Sequence, residues 1–318
     1  LYVDKAATSA LGNLGTVSNP YREIDQAIAA ATEGMTIRVL GNGGTDGQME
    51  TLSDNYSYQI GFTSNGVPLP DGTTLDVPKG VRLVIDSGAI LKMSRSRIGV
   101  GSASLQDQSG GSLQVLGTPS IITDSGLPAR DSLNAIIPGS VFLTSINDDS
   151  VGNGNTTGAN PAAGEWGGID LRGDLDVEDE SRRNTELEGV FLNHIQHADI
   201  RYGGGQVLIG GQPVVVSPID MAVTRPTIIN SSITESADAA IAATPDTFSE
   251  TRFTDPSYQA GGSFSPDYDR VGPNIWGNTI VDNTINGLFV RVRTRAGDTL
   301  ETISTAARFD DGDIPIVL

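Results

Sequence analysis

The sequence predicts an all-β fold, a right-handed parallel β-helix (a solenoid) with a short N-terminal capping helix. Three observations predict it: short apolar strands separated by Gly, Pro, Asn and Asp turns, a single amphipathic helix near the N-terminus, and two aligned repeats in the C-terminal third. Repetition of this kind indicates units that stack and bury a continuous core between them.

Composition agrees with a solenoid and argues against several classes of protein. Hydrophobic residues make up 37% and aromatic residues 5% of the 318 residues, with 39 Gly and 16 Pro. Such a lean core suits a solenoid, because each rung buries only a few aliphatic side chains against the next. The 20 Lys and Arg against 39 Asp and Glu give a net charge of −19, which disfavours nucleic acid and anionic membranes as partners. Because the chain has no Cys, disulfides and zinc-thiolate sites are impossible.

The two ends predict one continuous domain excised from a longer chain. The sequence begins at Leu1 without a signal peptide and ends in "DIPIVL", which has the pattern of a strand. No stretch approaches the ~20 apolar residues of a membrane helix, so no membrane insertion is expected. We predict an N-terminal cap over residues 1–40 (strand, capping helix, first strand) and the β-helix over residues 41–318.

The predicted helix lies over Pro20–Ala31. Asn19 suits the N-cap, Pro20 suits the first turn, and Gly34 ends the segment. The apolar residues recur at the i, i+3, i+4, i+7 spacing of an amphipathic helix, at Ile24, Ala27, Ile28 and Ala31. One narrow apolar face suits a helix that covers the open end of a stack.

The strands that follow show period-2 alternation. "TLDVPKGVRLVIDSGAILKM" places Val81, Leu83 and Ile85 on one face, and "GGSLQVLGTPSIIT" does the same with Leu113 and Val115. "GSVFLTSIND", "GGIDLRGDL", "NHIQHADIRYGGGQVLI" and "PTIINSSIT" continue the pattern. No second helix of comparable quality is present, which disfavours a βαβ sheet.

One internal repeat aligns without gaps. "PTIINSSITESADAAI" from Pro226 matches "PNIWGNTIVDNTINGL" from Pro273. The alignment sets equivalent apolar residues against each other, namely Ile228 with Ile275, Ile233 with Ile280, and Ile241 with Leu288. Because the offset is long for one rung, the residues 244–272 between them are predicted to be a looped insertion.

The segment "LYVDKAATSALGNLGTVSNPYREIDQAIAAATEGMTIRVLG" resembles the entry segment of pectate-lyase-like right-handed β-helices. "VPKGVRLVIDSGAILKM", "FLTSINDDSVGNGN" and "GEWGGIDLRG" are similar to rungs of the β-helix regions in very large secreted bacterial surface proteins. The resemblance covers essentially the whole chain. It implies an extracellular or cell-surface β-helix module, often one of many in a giant polypeptide.

The catalytic motifs of the enzymes with this fold are not intact. The "WIDH" and "RxPxxR" patterns of polysaccharide lyases are missing, because Arg225-Pro226 lacks the second Arg at the required spacing. The "SHG" and "RIK" elements of polygalacturonase-type hydrolases are absent as well. If a diverged active site exists, its candidate catalytic residues are Asp267, Asp269, Arg270, Arg291 and Arg293.

The loop "SINDDSVGNGNTTG" is the candidate metal site. Its predicted Ca²⁺ ligands, with backbone carbonyls, are Asp148, Asp149, Asn153 and Asn155, since Ca²⁺ prefers oxygen ligands. The alternative is a flexible polar loop between rungs. A weaker candidate is "RFDDGDI", with Asp310, Asp311 and Asp313, which also has the composition of a solvated turn.

The two histidines, His194 and His197, would lie on opposite faces of one strand, which makes shared metal ligation improbable. Packing is the favoured role. The alternative is that one of them is a general base near Asp199 or Tyr202.

Three further features have two readings each. Trp166 and Trp276 could stack on sugars, but adjacent glycines favour packing at rung corners. In "GLFVRVRTRAG", a row led by Arg291 could meet an anionic sugar, although pairing with acidic residues of neighbouring rungs is favoured. "GGG" at Gly203–Gly205 reads as a turn or bulge, because no helix follows it as in a phosphate loop.

Together these features predict a non-catalytic structural or adhesive module of a secreted or cell-surface protein, with possible Ca²⁺ and no organic cofactor. Its expected partners are polysaccharide or neighbouring domains of the same long chain. The alternatives are a polysaccharide lyase or glycoside hydrolase with a diverged active site, and a carbohydrate-binding module.

Overall fold

The computed structural model describes residues 1–8, 14–101, 111–123, 125–153, 160–172, 193–222, 224–248, 273–291 and 312–318. Within these ranges the chain forms 22 strands, one α-helix and one 3-10 helix. All strands but two belong to three sheets, and every pairing between strands of those three sheets is parallel.

The first and second sheets follow one another along the chain. The first sheet contains β1 (Tyr2–Val3), β2 (Thr36–Val39), β5 (Arg82–Asp86), β8 (Ser112–Leu116), β11 (His194–Gln196), β16 (Thr227–Ile229) and β19 (Asn274–Trp276). The second sheet contains β3 (Tyr58–Gly61), β6 (Ile90–Ser94), β9 (Val141–Ser145), β12 (Ala198–Arg201), β17 (Ser232–Thr234) and β20 (Thr279–Val281).

The third sheet follows the second along the chain. It contains β4 (Leu75–Val77), β7 (Ile98–Val100), β10 (Ile169–Arg172), β15 (Ile219–Ala222), β18 (Ala239–Ala243), β21 (Ile285–Val290) and β22 (Ile316–Val317). From β2 to β21 the chain passes through the first, second and third sheets in that order six times. We call each passage a rung, so that rung 1 is β2, β3 and β4 and rung 6 is β19, β20 and β21. This order is consistent with an all-β parallel solenoid.

One core is shared by the three sheets. Alternate residues of each strand point into it, as with Ile228 from the first sheet, Ile233 from the second and Ile241 from the third, all fully buried in one cluster. The predicted inward residues of the earlier strands, Val81, Leu83, Ile85, Leu113 and Val115, belong to the same cluster. The alternation therefore predicted the buried face correctly.

The aligned repeat corresponds to two successive rungs. Ile228 pairs with Ile275, Ile233 with Ile280, and Ile241 with Leu288, each in parallel register. Of the predicted insertion at 244–272, the described part contains a 3-10 helix over Pro245–Phe248. The remainder, residues 249–272, lies outside the described residues.

Asparagine side chains join rung 6 to rung 5 at both corners of the repeat. Asn278 accepts a hydrogen bond from the Ser231 amide at 2.9 Å and donates to the Ile228 carbonyl at 2.8 Å. Asn283 makes the equivalent pair with the Ser236 amide and the Ile233 carbonyl, at 3.1 and 2.9 Å. These asparagine side chains thus satisfy backbone hydrogen-bonding groups at the corners, where the strands end.

The corners also require left-handed backbone. At the corner between the first and second sheets, Asn230 has a φ of 50° and its counterpart Gly277 a φ of 67°. Asn and Gly are the residues that adopt this conformation at least cost, which explains why one replaces the other at the same position of the repeat.

The α-helix, α1, spans Ile24–Ala30 and starts later than Pro20. Tyr21 is held in extended pairing with β1, because its amide donates to the Tyr2 carbonyl at 2.9 Å and its carbonyl accepts from Asp4. The amide of Ile24, the first helical residue, donates to the buried carboxylate of Asp71 at 3.1 Å. The side chain of the N-cap residue Glu23 makes no capping hydrogen bond. The helix contributes Ile24 and Ala27 to the core and contacts β1, β2 and β4.

One prediction about the strands is wrong. In "NHIQHADIRYGGGQVLI", β11 and β12 are rung strands, but Gln206–Ile209 (β13) pairs antiparallel with Gln212–Val215 (β14) in a separate hairpin. The two residues between them, Gly210 and Gly211, both have positive φ, which is the backbone of a tight hairpin turn. The Gly-Gly pair between two short strands is the sequence feature that indicates this hairpin.

Candidate functional site

The outer face of the third sheet carries a chain of ion pairs that runs across the rungs. In register, Asp76 of β4 lies beside Gly99 of β7, Gly99 beside Asp170 of β10, and Asp170 beside Asp220 of β15. The guanidinium of Arg97 lies over Gly99, 2.9 Å from the Asp76 carboxylate and 3.5 Å from that of Asp170. Arg97 therefore joins rung 1 to rung 3.

Gly99 makes this bridge possible. A Cβ at Gly99 would overlap the guanidinium of Arg97 and the carboxylate of Asp76. The glycine is thus required by the close approach of charged side chains, while its φ lies outside the left-handed region. No sequence pattern we considered indicated this role.

The pairs form two sets, one that ends at Arg172 on rung 3 and one around Arg291 on rungs 4 to 6. Arg172 Nε donates to Asp170 Oδ1 at 2.7 Å. Arg291, at the end of β21, bonds to the carboxylate of Asp238 and to Ser217 Oγ at 2.7 Å, and its Nε lies 3.8 Å from Asp220 Oδ2. For Arg291 the structure agrees with the favoured reading of the arginine row, pairing with acidic residues of neighbouring rungs.

The neighbouring carboxylates Asp170 and Asp220 differ both in burial and in their pairing with cations. The Asp170 side chain is 1% exposed and is bonded to Arg172, whereas the Asp220 side chain is 13% exposed, accepts a backbone hydrogen bond from Ser217 and has the more distant Arg291 as its ion-pair partner among the described residues. Burial raises the pKa of Asp220 to about 6; Arg291 and Arg172 oppose this rise, and the neighbouring Asp170 adds to it. We use the name third-sheet ladder for the residues that form these ion pairs, namely Asp76, Arg97, Asp170, Arg172, Asp220, Asp238 and Arg291.

A second polar cluster lies on the outer face of the second sheet, at the predicted metal loop. Asp148 is 2% exposed, and its Oδ1 accepts from the Ser150 amide at 2.9 Å and from Ser150 Oγ at 2.6 Å. Its Oδ2 accepts from Thr144 Oγ1 at 2.6 Å and lies 3.6 Å from Arg201 Nη1. Burial by itself raises the pKa of Asp148, but the hydrogen bonds from Ser150 and Thr144 outweigh it, so the pKa lies below its usual value.

Lys92 of β6 lies beneath the same loop and is fully buried. Its Nζ donates to the Gly152 carbonyl at 3.1 Å. Burial lowers the pKa of Lys92, and the charges of Asp148 and Asp149 oppose that shift. The carboxylate of Asp148 thus has two cations of the protein itself, Lys92 and Arg201, in its surroundings.

The four predicted Ca²⁺ ligands are placed differently. Asp148 is buried, Asp149 is exposed, and Asn153 accepts from Ser57 through its backbone carbonyl at 2.6 Å. Asn155 lies outside the described residues. Within the described ranges no group of three or more His, Asp or Glu residues could hold a metal ion, but that finding does not test a set that includes Asn and backbone carbonyls. The Ca²⁺ site stays a prediction.

The Ca²⁺ prediction can be tested by thermal unfolding. If Ca²⁺ binds the native loop, excess Ca²⁺ raises the Tm and EDTA lowers it, since a ligand of the folded state adds RT ln(1 + [L]/Kd) to stability, or about 2.7 kcal/mol at 100 times Kd. Asp149→Asn should abolish the difference. An equal Tm in Ca²⁺ and in EDTA would contradict a structural site.

The two histidines do not share a strand. His194 belongs to β11 and its Nε2 lies 2.9 Å from Gln196 Oε1, whereas His197 lies at the corner after β11 with a φ of 45°. The prediction of opposite faces of one strand is therefore wrong. The alternative partner Asp199 is paired with Arg201 at 2.6 Å, and Tyr202 follows β12, its pKa raised to about 12 by burial and by Glu235.

The two tryptophans differ. Trp166 is fully buried and its Nε1 donates to the Arg201 carbonyl at 2.8 Å, so the packing interpretation is confirmed for it. Trp276, at the end of β19, is 48% exposed, so packing does not describe it. Gly203–Gly205 form an irregular segment before β13, in which Gly204 has a φ of 84° and the Gly204 and Gly205 amides donate to the Gly167 and Trp166 carbonyls.

Several predicted residues lie outside the described ranges: Asp267, Asp269, Arg270, Arg293, Asp310 and Asp311. Asp313 of the weaker acidic candidate is described, and its Oδ2 accepts from the Gly277 amide at 2.8 Å. This contact joins the last segment of the chain to the corner of rung 6.

Compared with known proteins, the chain matches no family model, no curated protein and no solved structure. Among the described residues, no helix has the length and apolar character needed to cross a membrane. Function therefore has to be argued from the two polar faces themselves.

Proposed function

We propose that the chain is a non-catalytic structural or adhesive module: a closed right-handed parallel β-helix, similar to those of pectate lyases, in a large secreted or cell-surface bacterial protein. In this proposal α1 covers the N-terminal end of the stack. Its contacts with β1, β2 and β4 support that position, because β2 and β4 belong to rung 1 and β1 precedes it.

The observation that carries the proposal is the third-sheet ladder. Its acidic and basic side chains pair within two sets, one over rungs 1 to 3 and one over rungs 4 to 6, and Asp170 is closed off from solvent. Ion pairs between side chains of neighbouring rungs hold those rungs in register, and a rigid spacer requires such a fixed register. A catalytic group has to reach substrate, and the Asp170 carboxylate is covered.

The proposal is tested by incubating the protein with pectate, alginate and related polymers. We expect no new reducing ends and no unsaturated products, because the charged groups described above are bonded to each other. A glycan array then separates an adhesive or carbohydrate-binding module from a spacer without ligand. Reproducible cleavage of any polymer by the purified chain would overturn the non-catalytic proposal.

One observation favours the second candidate, a polysaccharide lyase or glycoside hydrolase with a diverged site. Asp170 and Asp220 lie on adjacent strands, and the raised pKa of Asp220 leaves that carboxyl partly protonated at mildly acidic pH, as general acid catalysis requires. This candidate requires that cleavage be found and that Asp220→Asn or Arg291→Ala abolish it. Cleavage that persists in both variants would show that the catalytic site does not include Asp220 or Arg291.

A further inference from the structure

The third-sheet ladder has more carboxylates than guanidinium groups among the described residues. Its ion pairs involve the carboxylates of Asp76, Asp170, Asp220 and Asp238 and the guanidinium groups of Arg97, Arg172 and Arg291. Four negative charges thus face three positive charges on one largely buried face. The surplus is one negative charge.

The surplus is concentrated at Asp220. From β10, Asp170 lies directly beside it in register and Arg172 is bonded to Asp170. On β18 the residue opposite Asp220 is Ala242, which offers no partner, and the nearby Asp238 adds another carboxylate. Neither β10 nor β18 therefore supplies a cation that pairs with Asp220 and with no other carboxylate.

Among the described residues, Arg291, beyond β21, is the cation that forms an ion pair with Asp220, but its hydrogen bonds go to other groups. Its Nη2 is bonded to Asp238 and to Ser217 Oγ, while its Nε lies 3.8 Å from Asp220 Oδ2 without a hydrogen bond. A separation of 3.8 Å is too long for the charge-assisted hydrogen bond that would stabilise a buried carboxylate.

We propose that the ladder takes up one proton under mildly acidic conditions, that Asp220 holds it, and that the rungs are consequently held together more firmly in mild acid than at neutral pH. Protonation removes the repulsion between Asp220 and Asp170 and leaves Arg291 entirely to Asp238. What remains is three carboxylates against three guanidinium groups.

The sign of the pH dependence follows from linkage. Burial raises the pKa of Asp220 from 3.8 to about 6, so the folded protein binds this proton more tightly than the unfolded chain. The stabilisation is complete below 3.8 and is lost as the pH rises through about 6. A shift of this size corresponds to at most about a 100-fold change in the unfolding equilibrium constant, because each pKa unit is a factor of ten.

The experiment compares urea unfolding of the wild type, Asp220→Asn and Asp76→Asn between about pH 4 and pH 7.5. Asp76→Asn is the matched control, because it removes the same charge from the same ladder at a side chain that is 54% exposed. We expect the unfolding constant of the wild type and of Asp76→Asn to rise with pH. In Asp220→Asn the part of the rise centred near pH 6 should be missing, by up to about 100-fold.

Titration of the carboxylates outside the ladder affects all three proteins equally and cancels in the comparison. The carboxyl ¹³C resonance of Asp220 provides a second measurement that needs no variant, and its midpoint should lie near 6 and well above the ordinary Asp value of 3.8. An Asp220→Asn profile that parallels the wild type, or an Asp220 midpoint at the ordinary Asp value, would overturn the proposal.

Discussion

Replacing Gly168 by alanine is expected to destabilise the chain by about 3 kcal/mol or more, as overpacking against rigid structure does. Gly168 precedes β10, and a Cβ there would overlap the Ser217 carbonyl group and the Cα of Pro218 on the next rung. Because those atoms are backbone, they cannot rotate away. Moving them would break the 2.9 Å hydrogen bond from the Ile169 amide to the Pro218 carbonyl.

Gly126→Ala is the matched control for this prediction. Gly126 has a φ of 77°, but a Cβ there meets no atom within 4 Å. Its replacement should cost only the ~1–2 kcal/mol of placing alanine in the left-handed region. Urea unfolding of the two variants separates rung spacing from backbone conformation. Equal losses in both would show that the distance between rungs does not limit position 168.

The sequence predicted the fold most reliably where the rungs are uninterrupted. Rungs 5 and 6 have equivalent corners, so the alignment of Ile228 with Ile275 was visible without a structure. Earlier rungs contain long excursions between their own strands, such as the segment 117–139 between β8 and β9 of rung 3, which removes any constant period. The start of α1 depends on Asp71, a residue far along the chain that local helix rules do not consider.

The candidate site was predictable only in part. The arginine row correctly indicated that Arg291 pairs across rungs, because alternation alone places it on the outer face. The bridge by Arg97 depends on which strands become neighbours, and the burial of Lys92 depends on a loop that folds over it from residues 146–153. Both are long-range facts, so neither leaves a local pattern in the sequence.

Asp148→Leu is expected to cost about 3–5 kcal/mol of unfolding free energy, the range found when one partner of a buried charge cluster is removed. The Asp148 side chain is 2% exposed and Lys92 is fully buried, so solvent screens their interaction little. The variant leaves the Lys92 ammonium without its nearest buried countercharge and deprives Thr144 and Ser150 of their acceptor. With both variants measured in EDTA, Asp149→Asn, at an exposed position of the same loop, should change stability by less than about 0.5 kcal/mol.

A double-mutant cycle with Lys92→Met decides whether the loss comes from the charges. Methionine fills much of the space of the lysine side chain without its ammonium, and replacing buried charges by apolar groups is often neutral or stabilising. We therefore expect Lys92→Met to restore part of the stability lost in Asp148→Leu, with a coupling of about 1 kcal/mol or more by urea unfolding. A coupling near zero would mean that Lys92 does not contribute to the cost and that the Thr144 and Ser150 donors and Arg201 account for it.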